Sequence, residues 1–212
     1  MLPSMSDPFR PAPITLDGRF VRVEPLERRH APDFARTGAD PAIWRWMPGG
    51  PPDGAHREER TRWFDAWIER ALDEQERAEG VPFAIRRHQD GLIVGSTRYL
   101  TIRPDHRSIE IGWTWLAPDA QRTPVNTETK LLLLAHAFET LGARRVEFKT
   151  DARNARSRRA LERIGGTFEG VLRRHMIRPD GSPRDSAYYS IIDDEWPPTR
   201  TRIRGLLDRP SP

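Results

Sequence analysis

The sequence predicts an α+β fold, here a three-layer sandwich in which helices cover a largely antiparallel sheet. Segments that alternate apolar and polar residues, typical of half-buried strands, are interspersed with segments whose apolar residues recur at helical spacing. The turn signals Asp90-Gly91 and Arg178 to Gly181 each separate two strand-like segments and therefore indicate hairpins. Helices combined with mostly hairpin-connected strands place the chain in this fold class.

The N-terminal part of the chain contains a lead-in, a strand and two main helices. Residues 1–13 hold four prolines and little periodicity, so we expect a flexible segment there. The elements that follow are a strand within Ile14–Leu26 after the turn Asp17-Gly18, a helix at Glu27–Thr37 ended by Gly38, and a long charged helix at His56–Glu79.

The remaining elements complete a single domain over residues 14–196, and residues 197–212 are expected to form a basic tail. With 212 residues the chain fits one domain. In order, we expect a hairpin of Val81–Arg87 and Leu92–Leu100, a strand at Glu110–Leu116, a helix starting between Pro124 and Thr127, a strand at Arg144–Thr150, a helix at Ala155–Ile164, and a hairpin of Thr167–Ile177 and Arg184–Ile192.

Composition excludes several classes of site. The chain has no Cys, which removes disulfides, thiolate metal sites and cysteine nucleophiles, and its six His residues show no metal-ligand spacing. Basic and acidic residues alternate around a net charge of +4, which argues against nucleic-acid binding. Lys occurs only at positions 130 and 149, and we attribute the excess of Arg to codon usage. Without a membrane-length apolar run or a signal-peptide core, we expect a cytoplasmic protein.

The strand, loop and helix that run from Glu110 to Phe138 form the most informative stretch. The first N–H groups of a helix lack internal partners and lie at the positive end of its dipole, so they attract anions. Gln121 and Arg122 stand just before the expected helix and can add side-chain donors. This arrangement predicts a phosphate or pyrophosphate site, although helix starts with a nearby Arg are usually only solvated.

Trp44, Trp46 and Met47 supply a dense apolar surface beside the flexible loop Gly49–Gly54. Such a surface suits the wall of a binding pocket. Packing of the same three side chains between two short helices is an equally good interpretation, and the sequence leaves both open.

Several motifs together resemble the GNAT acetyltransferase superfamily, and within it the RimJ/RimL-like group. The resemblance covers about residues 14–196. The segments that carry it are Glu110-Ile-Gly-Trp113, Gln121-Arg122 with the helix start, Asp151-Ala-Arg-Asn154-Ala-Arg-Ser157, Leu161-Glu-Arg-Ile-Gly-Gly166, and the hairpin from Arg173-Arg-His175 to Tyr188-Tyr-Ser190.

The resemblance implies acetyl-CoA as co-substrate and a GNAT fold, in which two parallel central strands splay apart around the pantetheine arm. The strands would be Glu110–Leu116 and Arg144–Thr150. It also implies an amine acceptor bound near the final hairpin and the tryptophan-rich segment. Cofactor contacts are expected from Trp113, Trp115, Leu116, Gln121, Arg122, Thr123, Val125, Asn126, Thr127, Asn154, Ser157 and Arg158, and acceptor contacts from Trp44, Trp46, Met47 and Tyr188.

The chain departs from the family pattern at the pyrophosphate loop, which has two small residues where this sequence has Pro124 and Asn126. Glycine allows close backbone approach and positive φ, whereas proline offers no N–H but fits the first turn of a helix. We therefore expect the N–H groups of Thr123, Val125, Asn126 and Thr127 to form the cradle, with Arg122 contributing more than usual.

Glu110 and Ser157 are the candidate catalytic residues. Glu110 would act as the general base, directly or through water, unless it is simply a carboxylate paired with Arg98 or Arg107. The family's acidic Tyr is replaced by Leu161, and Ser157 occupies the position where RimL-like members have Ser. Because a serine hydroxyl is a poor acid, Ser157 is better interpreted as a hydrogen-bonding partner of the sulfur or as an ordinary helix residue. Asn154 is also a natural helix N-cap.

The resulting prediction is an N-acetyltransferase that acts on a protein N-terminal α-amine or a small amine by direct attack. A CoA-binding or regulatory module that has lost turnover is the alternative, suggested by Pro124, Asn126 and Leu161. A third interpretation gives the Arg-rich segment from Arg200 to Arg209 an RNA-associated role. Dimerisation fits the family, although no stretch of the sequence indicates an interface.

Overall fold

A single eight-stranded sheet with a mixed strand arrangement forms the centre of the molecule. The computed structural model describes residues 8–178 and 180–208. The sheet order is β1-β2-β3-β4-β5-β6-β8-β7, and among these described strands only β5 and β6 pair in parallel. The strands are β1 Leu16–Asp17, β2 Val21–Pro25, β3 Gly80–Arg87, β4 Ile93–Arg103, β5 Ser108–Leu116, β6 Arg145–Asp151, β7 Thr167–Ile177 and β8 Pro183–Ile192.

In the described part of the chain, six α-helices cover the two faces of this sheet. They are α1 Ala31–Thr37, α2 Pro41–Trp44, α3 Arg57–Glu76, α4 Pro124–Ala135, α5 Ala155–Arg163 and α6 Trp196–Leu207. Alternate residues of a strand face opposite sides, so Phe83 of β3 joins the cluster under α4 and α6 while Ala84 joins the cluster under α1 and α3. The expected three-layer α+β architecture is therefore confirmed.

The segment expected as a basic tail belongs to the folded domain. It forms α6, in which Ile203 is fully buried and the Trp196 ring stacks on Phe138 with centroids 5.3 Å apart. Arg200 pairs with Glu139 at 3.0 Å, so part of its basic charge is used in packing. The predicted domain boundary at residue 196 was therefore placed too early, because the few apolar residues of α6 are interspersed with arginines. Arg209 lies outside the described residues.

The expected flexible lead-in is partly packed. Residues 1–7 lie outside the described part of the chain, but Phe9 is buried and its ring centroid lies 5.7 Å from Arg107 Cζ. One large aromatic side chain thus anchors residues 8–13, which have no regular secondary structure, and proline content alone does not reveal this.

A gap opens between the two parallel strands near the middle of the sheet. Cα pairing of β5 with β6 ends at Glu110 and Glu147, and neither strand pairs with the other beyond that point. In β5 a bulge follows, because the register against β4 shifts between Ser96 and Arg98 and Trp113 adopts a φ of +50°. The bulge bends β5 away from β6 and creates the opening that positions the site.

Candidate active site

A cleft of about 730 Å³ occupies the gap between β5 and β6. Its floor is formed by the two strands, and its walls are formed by the start of α4, by α5, and by the segment that contains Trp46 and Met47. Glu110 lies at one end of β5, and Leu116 ends the strand just before the loop to α4. Six residue steps of a strand correspond to about 20 Å, so the cleft accommodates an extended ligand.

The loop before α4 forms its turn without the small residues of the family pattern. Arg122 adopts a φ of +63°, the left-handed conformation that a glycine usually supplies. Pro124 occupies the first helical position, and the Thr123 hydroxyl caps the helix by accepting from the Val125 N–H at 3.3 Å. The prediction that the Val125 N–H is free to bind the cofactor is therefore wrong, because the Thr123 cap uses that N–H. The Val125 side chain is also buried.

Arg122 and three arginines of α5 line the cleft at the start of α4. Arg163 is held in place by donating to Thr127 Oγ1 at 2.7 Å, and Arg156 donates to Gln121 Oε1. Arg159 is the third arginine of α5 that lines this end. Four guanidinium groups beside a helix N-terminus make this end of the cleft strongly attractive to phosphates.

Gln121 links the end of β5 to α5 through its side-chain amide. Its side-chain Nε2 donates to the Leu116 carbonyl at 2.9 Å while its Oε1 accepts from Arg156. Each end of the amide therefore has one partner within the protein. Gln121 lines the cleft as expected; one N–H of its amide holds the loop, and the second N–H is available to a ligand.

Arg158 is not part of the cleft, and its expected phosphate contact is wrong. Its Nε donates to the Tyr189 hydroxyl at 2.9 Å, and its Cζ lies 5.2 Å from the Phe168 ring centroid. Neighbouring positions of a helix point in different directions, so Arg159 faces the cleft while Arg158 faces the β7–β8 hairpin.

Asn154 and Ser157 both line the cleft at the start of α5. Asn154 is the N-cap of α5, and its Oδ1 accepts from the Ser157 N–H at 3.1 Å. The N-cap interpretation of Asn154 is confirmed. The cap fixes Ser157 in the first turn of the helix, with its side chain next to the space between the strands.

Glu110 is a buried carboxylate with a lysine partner. Its Oε2 lies 3.3 Å from Lys149 Nζ and accepts from the Thr101 hydroxyl at 3.1 Å. Burial raises the pKa of the Glu110 carboxyl above its ordinary value, and the Lys149 ammonium opposes part of that rise. A carboxylate with a raised pKa accepts protons more readily than an exposed one.

Neither of the arginine partners considered for Glu110 contacts it. Arg98 pairs with Glu74 at 2.7 Å, and the Arg107 guanidinium donates to the carbonyls of Leu141 and Gly142. The alternative of an arginine partner is therefore wrong. Lys149 reaches Glu110 instead, from a position on β6 two residues beyond the paired Glu147.

Lys130 is, after Glu110, a second buried ionisable group in the cleft. It was not predicted from the sequence. Its Nζ donates to Thr114 Oγ1 at 2.8 Å, and burial lowers the pKa of its ammonium to about 7. Lys130 and Lys149 are the only lysines of the chain, and both line this cleft. In a sequence that uses Arg almost everywhere else, that restriction was the available signal.

The residues expected to contact the acceptor separate into two groups. Trp46 and Met47 line the cleft, whereas Trp44 is 1% exposed, donates from Nε1 to the Gly38 carbonyl at 2.8 Å and packs in the core under α1 and α3. Tyr188 does not line the cleft, and its hydroxyl lies 3.4 Å from His175 Nε2. Trp44 thus packs in the core, as one of the two interpretations expected, and it also lines a smaller neighbouring pocket.

The three cofactor candidates on β5 all border the gap. Trp113, Trp115 and Leu116 line the cleft around the bulge, where the strand is not paired with β6. Within residues 8–178 and 180–208, no group of three or more acidic, His or Cys side chains is arranged to hold a metal ion. In the same part of the chain, no helix is long and apolar enough to cross a membrane.

Comparisons with known proteins agree with this architecture. Residues 21–167 match the model of the acetyltransferase (GNAT) domain. A GCN5-related N-acetyltransferase from Brucella melitensis superposes with a TM-score of 0.85 at 32% identity, over 93% of this chain and 87% of that chain. Mycobacterium smegmatis RimJ in complex with CoA-disulfide has the same fold, with a TM-score of 0.77 at 24% identity over 92% and 95% of the two chains.

Among curated proteins, the uncharacterized N-acetyltransferase YoaA of Bacillus subtilis is 30% identical over 113 residues. The aligned part covers 53% of this chain and 63% of that protein, so the chain spans less than two thirds of this relative. The family match itself extends from β2 to the first residue of β7 and includes the whole gap between β5 and β6. The chain therefore belongs to the GNAT acetyltransferase family.

Proposed function

We propose that the protein is an acetyl-CoA-dependent N-acetyltransferase that transfers the acetyl group to a primary amine by direct attack. The observation that carries the proposal is a single cleft with a cationic helix start at one end and a buried carboxylate, Glu110, at the other. The first end suits a diphosphate, and the second suits removal of a proton from an amine.

The cationic end fits the phosphates of acetyl-CoA. Arg122, Arg156, Arg159 and Arg163 would hold them together with the unpaired N–H groups of the first turn of α4. Pro124 removes one donor from that turn, and the additional guanidinium groups compensate for it. The pantetheine arm would lie along Trp113, Trp115 and Leu116, where β5 has no strand partner on the β6 side.

Acetyl-CoA supplies an activated thioester carbonyl when it is bound. An amine attacks that carbonyl only when it is unprotonated, and an α-amine with a pKa near 8 is partly neutral at pH 7. Glu110 would take the proton that the amine loses as the new C–N bond forms. Burial raises the pKa of Glu110, which strengthens it as a base. The Lys149 ammonium opposes part of that rise, so the carboxylate remains largely ionised.

The C–S bond breaks in the same reaction, and the leaving thiolate takes up a proton. Ser157 and Lys130 both line the cleft and could donate it. Lys130 is the better acid, because its pKa of about 7 is far below that of a serine hydroxyl. We therefore assign the proton donor to Lys130 and a hydrogen bond to the sulfur to Ser157.

Two measurements test this function directly. Calorimetric titration with acetyl-CoA should show saturable binding, and mass spectrometry of an amine panel should show one added acetyl group with release of free CoA. An absence of binding at millimolar acetyl-CoA would rule the function out. Binding without transfer to any amine would instead support the alternative, a CoA-binding module.

A further inference from the structure

Arg184 is a buried cation at the junction of two cavities. It lies on β8 opposite Met176 of β7, and only 6% of it is exposed. The residue lines the main cleft, and it also lines a neighbouring pocket of about 220 Å³ between the β7–β8 hairpin and the segment that contains Trp46 and Met47. Its position is therefore on the side where an acceptor would enter.

No described residue gives the Arg184 side chain a hydrogen bond or an ion pair, and its buried Nε has no partner. The nearby carboxylate of Asp151 is already occupied, since it accepts from Arg178 Nε at 3.2 Å and from Arg153 Nε at 3.4 Å. Buried arginines are normally paired, because an uncompensated buried charge is costly. An unpaired guanidinium that borders a cavity is suited to bind an anionic ligand there.

The other charges around Arg184 do not supply that anion. Glu110 acts on it electrostatically but is held by Lys149, and Arg178 adds a further positive charge. Burial lowers the pKa of the Arg184 guanidinium, which reflects the same lack of compensation. None of the residues at the start of α4 lines the smaller pocket, so the phosphates of acetyl-CoA are not its natural partner there.

We propose that Arg184 binds a carboxylate of the acceptor, so that the preferred acceptors are amines that also carry a carboxylate. This inference rests on the proposed function and narrows its substrate class. The planar guanidinium fork matches a carboxylate in two parallel hydrogen bonds, which fixes the orientation of the acceptor as well as its affinity. The carboxylate belongs either to a free amino acid or to an acidic side chain near a peptide N-terminus.

Matched pairs of acceptors separate these sources. The first pair is phenylalanine and phenylalaninamide, and the second is the amidated peptides Ser-Glu-Ala-Ala and Ser-Gln-Ala-Ala. Each member of a pair differs only in one carboxylate. Binding is measured by calorimetry in the presence of CoA, for the full chain and for Arg184→Gln, and acetyl transfer from acetyl-CoA is measured in parallel.

The expected result is a preference of about 10- to 100-fold for the acid in at least one pair, the range of a charge-assisted hydrogen bond. Arg184→Gln should abolish that preference. The matched control Arg173→Gln removes the same charge from an exposed position on the same hairpin and should keep it. Should Arg184→Gln fail to fold by circular dichroism, Arg184→Lys retains the charge without the fork and should reduce the preference.

The proposal is overturned if the wild type binds acid and amide equally in both pairs, or if the Arg184 variants retain the preference. The parallel assay keeps the two proposals apart. An acid preference in binding without acetyl transfer supports the role of Arg184 and contradicts the proposed function. Acetyl transfer without an acid preference supports the function and contradicts the role of Arg184.

Discussion

The carboxylate of Glu110 and the ammonium of Lys149 lie 3.3 Å apart across the gap between the two parallel strands. Glu110 is almost fully buried, while the Lys149 side chain is 19% exposed and approaches from the solvent side. The pair thus combines a desolvated base with a counter-ion that limits how far its pKa rises.

Replacing Glu110 by Gln should lower kcat by about 10²- to 10⁴-fold, the usual contribution of a general base. The Kd of acetyl-CoA should change little, because the phosphate end of the cleft is untouched. In the wild type, kcat should fall as the pH drops through the raised pKa of Glu110, since only the ionised carboxylate accepts a proton. Steady-state kinetics against pH at saturating substrates measures both effects.

Glu147→Gln is the control for that variant. Glu147 pairs in register with Glu110 on the adjacent strand and is equally buried, but its partners are Arg103 and Arg145. The variant should keep an acid limb in its kcat profile, displaced to lower pH because the Glu147 charge raises the pKa of Glu110. An identical pH profile for the wild type and Glu110→Gln would exclude Glu110 as the base.

Lys130→Met should stabilise the protein and impair catalysis at once. The folded-state pKa of about 7 lies below the ordinary lysine value of 10.5, so the unfolded state binds more protons between these values and wild-type stability rises with pH there. The variant should gain up to about 4 kcal/mol in free energy of unfolding at pH 7, and the gain should shrink towards the upper value. Urea denaturation at several pH values measures it.

The same Lys130 variant should lose the basic limb of the kcat profile, because the proposed proton donor is lost. The wild type should show a decline in kcat as Lys130 deprotonates near pH 7. If the variant is no more stable than the wild type, burial of the Lys130 charge is not destabilising. If the variant keeps the basic limb, Lys130 is not the proton donor.

Two arginines allow a matched test of the phosphate end. Arg122→Ala should raise the Kd of acetyl-CoA by about 10- to 100-fold, because it removes charge-assisted hydrogen bonds. Arg158→Ala removes the same charge from a side chain bound to Tyr189 and should leave that Kd nearly unchanged. Calorimetry compares the two, and equal losses would place the phosphates elsewhere.

Gly112→Ala should reduce kcat without preventing folding. A Cβ at this position would lie 2.8 Å from Glu110 Oε1 and 3.1 Å from Leu100 Cδ2. The Glu110 carboxylate would have to move, and general-base catalysis depends on hydrogen-bond reach. We expect at least about a tenfold loss of kcat with little change in acetyl-CoA affinity. Unchanged kcat would mean that the position of Glu110 is not critical.

The fold was largely predictable because its elements carry strong local signals. The hairpin turns at Asp90-Gly91 and Asp180-Gly181 and the helix end at Gly38 agree with the structure. The role of α6 was missed, because its burial of Ile203 comes from tertiary packing against a helix far away in sequence.

The site was predictable in outline and less so in its side-chain partners. The start of α4, the cap by Asn154 and the cleft position of Glu110 follow from local pattern and resemblance. The partners Lys149 and Lys130, and the diversion of Arg158 to Tyr189, depend on which side chains meet across β5, β6 and α4. Sequence spacing alone does not predict those tertiary contacts.

Mass spectrometry of acetyl transfer to an amine panel tests the central claim most directly, with the wild type and Glu110→Gln measured side by side. We predict that the wild type adds one acetyl group to at least one primary amine, with matching release of CoA. Under the same conditions, Glu110→Gln should bind acetyl-CoA but transfer its acetyl group at least about 10²-fold more slowly. Equal transfer rates for the two proteins, or no transfer by the wild type to any amine, would contradict the account.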